Sequence, residues 1–248
     1  MTTFKLPSRT SRSKQAKASR RGVIAAIVVL FLCVSLWAGR DAAAQSAVDN
    51  TVNSAPETKE KTLRAISAAT FRADAVQRAL GDYYMSISQP KLAATTYAGG
   101  SRQLDQAAMG AYYRAGDLSA SAKLYQKTNA DSEKLYIKTL LSQDRVGEGC
   151  ELIAKAGESA GYLQPACDAL KDGTVTRLEA YELIALDIPL PAEKTLRAQS
   201  AKTAGDWQTL VALRLRAGEG SEAARLANEA AQAFPYDAAL AKLQQQLQ

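Results

Sequence analysis

Helix-breaking residues recur at short intervals along residues 56–248 of this chain. Between them Ala, Leu, Glu, Gln, Lys and Arg are frequent, and apolar residues recur three and four positions apart, as on an amphipathic helix. Sustained alternation of Val, Ile and Thr, which is typical of strands, is missing from this sequence. The pattern predicts an all-α domain of antiparallel helix hairpins with short turns. The breakers are Ser88-Gln89-Pro90, Gly99-Gly100, Gly116-Asp117, Gly157, Asp172-Gly173, Pro189, Pro191, Gly205, Gly218 to Gly220 and Pro235.

Two segments of this region are similar to each other. "ALGDYY" at residues 79–84 matches "AMGAYY" at residues 108–113 at an offset of 29, and each is followed by a second helical segment with a Tyr, Tyr97 or Tyr125. This similarity predicts two related hairpins. Adjacent residues of a helix point about 100° apart, so only one Tyr of each pair can pack in the core. The other is free to line a surface, where Tyr is a favoured contact residue.

The stretch at residues 206–237 resembles a tetratricopeptide repeat. The order and spacing of the repeat are matched by Trp207, Leu210, Val211, Gly218, Ala223, Ala230 and Pro235. The first hairpin resembles it less closely: Leu80-Gly81, Tyr84, Ala93 and Tyr97 fit, but Ser88 stands where the turn Gly is usual.

The remaining units match the repeat more loosely. Tyr112, Gly116 and Tyr125 fit in the second hairpin, and residues 140–154 match in outline only. Residues 157–203 are irregular, and residues 235–248 look like the polar capping helix that such arrays need. The resemblance implies a tetratricopeptide-like α-solenoid that occupies residues 56–248.

The resemblance also implies a function and a binding surface. Helix A of each hairpin would face a concave surface that binds a partner protein, without catalysis or a cofactor. The positions that correspond to the groove of the family are Arg78, Asp82, Met85, Gln106, Tyr113, Arg114, Gln208, Ala212 and Leu215.

The N-terminus indicates a membrane. Residues 1–21 carry seven Lys or Arg and no acidic residue, and residues 22–39 are uncharged and almost wholly apolar. As a helix, the apolar run would measure about 27 Å, close to the thickness of a bilayer's hydrocarbon core. Because basic residues stay cytoplasmic, the segment predicts a single-pass anchor with residues 40–55 as a flexible tether and the C-terminal domain outside the cytoplasm, periplasmic or at the cell surface.

An alternative interpretation is that the N-terminal segment is a signal that is removed by cleavage. Ala42-Ala43-Ala44 resembles a signal-peptidase site, residues 19–24 resemble a twin-arginine export signal, and the basic start would also suit a mitochondrial presequence. The first hypothesis is therefore a membrane-anchored scaffold or assembly factor that binds proteins of an envelope complex. The second is a periplasmic module, released near Ala44, that binds a small ligand or a glycan.

The distribution of charge bears on the expected partners, and the cysteines bear on the expected compartment. The net charge of +6 resides in residues 1–21: without those seven basic residues, 24 remain against 25 acidic ones, a net charge of −1. Nucleic acid is therefore not an expected partner. Cys33 lies in the apolar run, which leaves Cys150 and Cys167, 17 residues apart, to form a disulfide across a helix hairpin in an oxidising compartment.

The chemistry of most enzymes is absent from the sequence. "GESAG" at residues 157–161 matches a nucleophile elbow around Ser159, but the chain contains no His to accept the hydroxyl proton. The absence of His also removes the commonest metal ligand, and there is no P-loop. Carboxylate pairs such as Asp187 with Glu193 suit solvated helix surfaces better than acid-base catalysis. The sequence predicts a protein that is not an enzyme.

Overall fold

The computed structural model of the protein describes residues 39–51, 54–125 and 133–247. Throughout these ranges the regular structure is helical and contains no strand, which confirms the predicted all-α class. Residues 22–38 of the predicted anchor lie outside the described ranges. Among the helices inside them, none combines the length and apolarity that crossing a bilayer requires. The chain divides into two compact units, Met1–Ala75 and Val76–Gln248.

The first unit differs from the sequence prediction at the expected tether. Residues 39–49, most of which belong to the predicted flexible stretch, are helical. The run is rich in Ala, and this strong helix propensity outweighs the absence of an apolar period. Helix α1 follows at Pro56–Ala69, with Ala55 at the N-cap position.

The second unit is a succession of short helices. Helix α2 begins at the boundary between the units, and 3-10 turns at Arg102–Leu104, Gly157–Ser159 and Gly161–Leu163 interrupt the series. The helices are α2 (Asp74–Ser86), α3 (Pro90–Ala98), α4 (Asp105–Arg114), α5 (Leu118–Tyr125), α6 (Glu133–Ser142), α7 (Val146–Ala156), α8 (Gln164–Lys171), α9 (Arg177–Ala185), α10 (Pro189–Ala198), α11 (Ala204–Arg216), α12 (Gly220–Ala233) and α13 (Ala238–Gln246).

Five turns between these helices share one backbone geometry. One residue in each turn is left-handed, with φ between 55° and 78°, and the N–H of the next residue donates to the carbonyl five positions before it. This bond closes the preceding helix in the manner of a Schellman motif. The left-handed residues are Ser88, Gly116, Asp144, Asp187 and Gly218. The first turn therefore keeps the geometry even though Ser replaces Gly, at a cost of about 1 kcal/mol.

Successive helices pack against each other along the unit. The closest neighbours include α3 with α4, α4 with α5, α6 with α7, α9 with α10, and α11 with α12. Between α2 and α3 the ring of Tyr97 lies on the bare backbone of Gly81, where a Cβ atom would come within 2.3 Å of the Tyr97 Cε1 atom. Gly81 therefore allows this close approach.

The Tyr pairs divide as expected between the core and the surface. Tyr84 and Tyr113 are buried, whereas Tyr83 and Tyr112 are half-buried. At the C-terminal end, α13 buries Leu240, and the Asp237 side chain caps the helix by accepting from the N–H groups of residues 239 and 240. The helix resembles the expected cap in its polar outer face.

The first and last hairpins of the second unit meet at their turns. Gly218, between α11 and α12, lies so close to the turn before α3 that a Cβ atom would stand 2.7 Å from the Ser88 carbonyl oxygen and 3.0 Å from Pro90 Cδ. Glycine is therefore needed at position 218 for two reasons, the φ of +78° and the close contact with the other turn.

A ladder of ion pairs crosses α10, α11 and α12. The buried Glu193 carboxylate accepts from Arg197 at 2.6 Å and from Arg214, and Arg197 also reaches Glu222 at 3.0 Å. Glu222 pairs in addition with Arg225 at 2.6 Å. The hydrogen bonds from Arg225 and Arg197 lower the pKa of Glu222 to about 2. The three helices are therefore linked by charge at their surface as well as by apolar packing.

Substitution of Gly218 tests the contact between the hairpin turns. We expect Gly218→Ala to lower the free energy of unfolding by about 2–4 kcal/mol, because strain of the left-handed residue, about 1 kcal/mol, adds to overpacking of about 1–3 kcal/mol. Gly116→Ala is the matched control, since Gly116 has a similar φ of +76° but nothing within 4 Å of an added Cβ. It should cost about 1 kcal/mol. Equal losses in urea unfolding followed by circular dichroism would contradict the contact.

Replacement of Glu222 tests the ion-pair ladder through pH. Because the folded-state pKa is lowered from 4.5 to about 2, the ionised carboxylate stabilises the fold above pH 4.5, and this contribution is lost as the pH falls towards 2. We expect the Tm of the unaltered chain to exceed that of Glu222→Gln above about pH 5 and the two to converge near pH 2. Glu158→Gln, an exposed carboxylate without an ion pair among the described residues, should show no such convergence. A Tm difference that is independent of pH would refute the assignment.

Candidate partner-binding site

Helices that are distant in sequence meet around the turn between α9 and α10. The hydroxyl of Tyr113 on α4 donates to the Asp187 carbonyl oxygen at 2.7 Å and lies 3.3 Å from Ser142 Oγ on α6. The Asp187 carboxylate pairs with Arg216 of α11 at 3.0 Å and with Lys138 of α6 at 3.6 Å. We call these five residues the Asp187 junction. It joins four parts of the unit through one turn.

Burial keeps the Tyr113 hydroxyl of the junction in its neutral form. Desolvation raises the pKa of Tyr113 well above its usual range, and the negative charge of Asp187 acts in the same direction. The Ser142 hydrogen bond and the charge of Arg216 oppose the rise without cancelling it. Tyr113 therefore remains neutral, and its hydroxyl donates a hydrogen bond to the Asp187 carbonyl oxygen.

A small cavity adjoins the junction. Its volume is about 50 Å³, and its lining includes Tyr113, Arg114, Asp187, Glu193 and Arg214. Pockets for organic ligands measure about 300–1,000 Å³, so this space suits one or two water molecules and not a cofactor or a metabolite.

The first two hairpins carry a cluster that we call the arginine patch, composed of the exposed Arg78, Asp82 and Arg114 and the buried Tyr97. The Tyr97 hydroxyl on α3 donates to Asp82 Oδ1 on α2 at 2.5 Å. Burial, this hydrogen bond and the charge of Asp82 raise the pKa of Tyr97, while the positive charges of Arg78 and Arg114 oppose the rise. The charges of Arg78, on α2, and of Arg114, on α4, thus both act on the phenol.

The two arginines of the patch differ from most arginines in the second unit. Among the described residues, neither Arg78 nor Arg114 forms an ion pair with a carboxylate. Both are exposed. The arginines of this unit that do form such pairs are Arg145, Arg177, Arg197, Arg214, Arg216 and Arg225. The patch therefore presents two exposed cations without an ion pair in the part of the chain that the structure describes.

Three predicted groove positions, Arg78, Asp82 and Arg114, come together in the arginine patch. Tyr113, which we expected to line the groove, is only 4% exposed, and its hydroxyl is used within the Asp187 junction. Choosing Tyr113 over its neighbour was wrong, because α4 turns Tyr113 towards α6 and α9 and leaves Tyr112 half-buried. Gln106 is exposed and Met85 is half-buried.

The predicted groove positions on α11 differ in exposure. Ala212 is exposed and Gln208 is half-buried, whereas the half-buried Leu215 packs against the apolar core of the C-terminal helices. The helix position alone could not reveal this, since the contact depends on how the later helices fold back.

The Asp187 junction was not predicted from the sequence, and Glu193, which was expected on a solvated helix surface, is buried. Asp187 and Glu193, considered as a carboxylate pair, each bind arginines or lysine and do not face each other as an acid and a base. The one available signal was Asp187 itself, since Asp tolerates the left-handed conformation that a turn needs. Lys138 and Ser142 carry no signal in the sequence.

The structure joins Cys150 of α7 to Cys167 of α8, with the Cα atoms 5.6 Å apart. The two cysteines lie in the wall of an open depression of about 580 Å³ whose lining also includes Glu151, Asp168 and Lys171. A second depression, of about 370 Å³, adjoins it at Val146 and extends towards α10.

Motifs associated with catalysis take ordinary structural roles. Ser159 lies in the 3-10 turn Gly157–Ser159, where its hydroxyl donates to the Ala156 carbonyl at 3.1 Å, so the segment lacks the strand of a nucleophile elbow. Within the described ranges, no group of three Cys, Asp or Glu side chains could hold a metal ion.

Comparison with protein families, with curated proteins and with solved structures found no match to this chain. Any inference about function therefore rests on the residues and geometry given above.

Removal of one hydroxyl tests the Asp187 junction. We expect Tyr113→Phe to lower the free energy of unfolding by about 1–3 kcal/mol, because the Asp187 carbonyl loses its donor in a buried setting. Tyr112→Phe is the control: Tyr112 is half-buried on the same helix, and its loss should stay below about 0.5 kcal/mol. Similar losses for both variants in urea unfolding would contradict a specific role for the Tyr113 hydrogen bond.

Proposed function

We propose that the chain is a non-catalytic, membrane-anchored scaffold or assembly factor, built from tetratricopeptide-like helix hairpins, that binds a protein of an envelope complex outside the cytoplasm. The arginine patch is the observation that carries the proposal. Two exposed guanidinium groups on neighbouring hairpins have no carboxylate partner among the described residues, so they are available to a partner whose surface is acidic.

The architecture supports this reading. Five turns with the same left-handed geometry follow helices along the second unit, and equivalent turns are what a series of related hairpins would have. A repeat architecture presents the same face of successive helices side by side, so Arg78 on α2 and Arg114 on α4 would belong to one extended surface.

The proposed location of the domain outside the cytoplasm rests on the N-terminal sequence and on the two cysteines. The basic start and the apolar run at residues 22–39 favour an anchor with the domain outside the cytoplasm. A disulfide between Cys150 and Cys167 suits an oxidising compartment. The small cavity beside the Asp187 junction is a reason to prefer a protein partner over a small ligand at this surface.

Photo-crosslinking in native membranes tests the proposal. A photoreactive residue replaces the exposed Gln106 on α4, and the crosslinked products are compared between the otherwise unaltered chain and Arg78→Glu with Arg114→Glu. We expect a specific protein product that falls about tenfold or more with the double reversal, because opposite charges at a contact become like charges.

The matched control reverses two exposed lysines elsewhere, Lys155→Glu with Lys242→Glu, and changes the net charge by the same amount. Its crosslinked product should remain. The proposal fails if no protein is captured, or if both double variants reduce the product equally, since a general charge effect would then explain the loss.

A further inference from the structure

We propose that the disulfide between Cys150 and Cys167 is a thiol-disulfide exchange site for a dithiol protein that docks in the depression beside it. The depression, about 580 Å³ in volume, is open at the surface and places both cysteines in its wall. A structural cross-link is usually enclosed, whereas this one faces a space large enough for an extended peptide segment.

The two sulfur atoms are not equally accessible. Cys167 is 4% exposed, whereas Cys150 is half-buried. An attacking thiolate needs a path to one sulfur along the axis of the disulfide bond, and accessibility favours Cys150. Cys150 is therefore the attacked residue, and Cys167 is the leaving group.

Burial of Cys167 disfavours a thiolate, whereas its position on α8 favours one. Cys167 is the fourth residue of α8, near the positive end of the helix dipole, which stabilises a thiolate. Lys171 follows one turn later on α8 and lines the same depression. Asp168 and Glu151 oppose this effect from the same lining, but Asp168 is held by a hydrogen bond from Gln164 at 2.9 Å.

The exchange balances as two substitutions at sulfur. The partner's thiolate attacks Cys150 Sγ and forms an S–S bond to it, while the bond between Cys150 and Cys167 breaks and its electron pair leaves on Cys167 Sγ. The partner's second cysteine, as a thiolate, then attacks the partner's own sulfur in the mixed disulfide and releases the Cys150 thiolate. Two electrons pass from the partner dithiol to this chain, and protons from water complete the two thiols.

The fold is able to survive this reduction. Apolar residues of α7, α8 and the preceding 3-10 turn, including Ile153, Leu163, Ala166 and Leu170, belong to the same buried core. Cleavage of the disulfide would release one link between α7 and α8 and leave this packing in place. Reduction would then alter the walls of the depression without unfolding the unit.

Trapping of the mixed disulfide tests the proposal. The folded full-length chain in detergent micelles is incubated with a thioredoxin-type protein whose resolving cysteine is replaced by Ser, and N-ethylmaleimide is then added to alkylate released thiols. We expect peptide mass mapping to find the partner on Cys150 and the maleimide on Cys167, with the helical circular dichroism retained. An adduct only after unfolding in urea, an adduct on Cys167, or loss of helical signal on reduction would overturn the proposal.

Reduction kinetics with the intact dithiol protein provide a second measurement. We expect Lys171→Gln to lower the second-order rate constant about threefold to fivefold, as for a partly solvated charge near a developing thiolate. Lys155→Gln, on an exposed part of α7 outside the depression, should leave the rate unchanged. Equal rates for the Lys171 variant and the unaltered chain would overturn the proposal.

Discussion

The left-handed turn that closes each hairpin is the constraint on which the second unit depends. A backbone N–H that reaches back five residues ends one helix and starts the return of the chain, so the next helix is brought against the previous one. Because the geometry belongs to the backbone, residues as different as Ser88, Asp144 and Gly218 can supply it. The regularity of the fold is consequently greater than the regularity of the sequence.

The Asp187 junction adds what the turns alone cannot provide. Turns fix neighbours along the chain, but the contacts of Tyr113 and Arg216 with Asp187 tie together helices separated by dozens of residues. The Tyr113 hydroxyl and the charged groups of Arg216 and Lys138 all contact the turn at Asp187. Loss of the hydroxyl would therefore affect several helices at once. The cavity of about 50 Å³ beside the junction is too small for an organic ligand.

Two features of the surface are unused by the fold itself. The arginine patch offers positive charge without a carboxylate partner among the described residues, and the depression beside the disulfide offers an accessible sulfur. The first suits a stable protein contact and the second a transient covalent one. Both proposed roles require only exposed side chains on a helical support.

The sequence alone was sufficient to predict the all-α class and many of the positions at which helices end. Helix propensity, the three-to-four apolar period and the breakers at Gly116 and Gly218 are local signals, and the structure bears them out. The resemblance to a tetratricopeptide repeat was the basis for choosing Arg78, Asp82 and Arg114, which lie exposed on α2 and α4. Residues 40–49 of the expected flexible tether are helical, because a run rich in Ala can form a helix without an apolar period.

Tertiary structure decided which of these residues remain exposed. A helix position predicts the direction of a side chain but not the helix that will cover it. Tyr113 is therefore buried and Leu215 partly buried, while Arg78 and Arg114 remain exposed. The Asp187 junction was beyond the sequence for the same reason. Its members are spread from α4 to α11, and only the return of later hairpins onto earlier ones brings their charges and hydrogen bonds within reach.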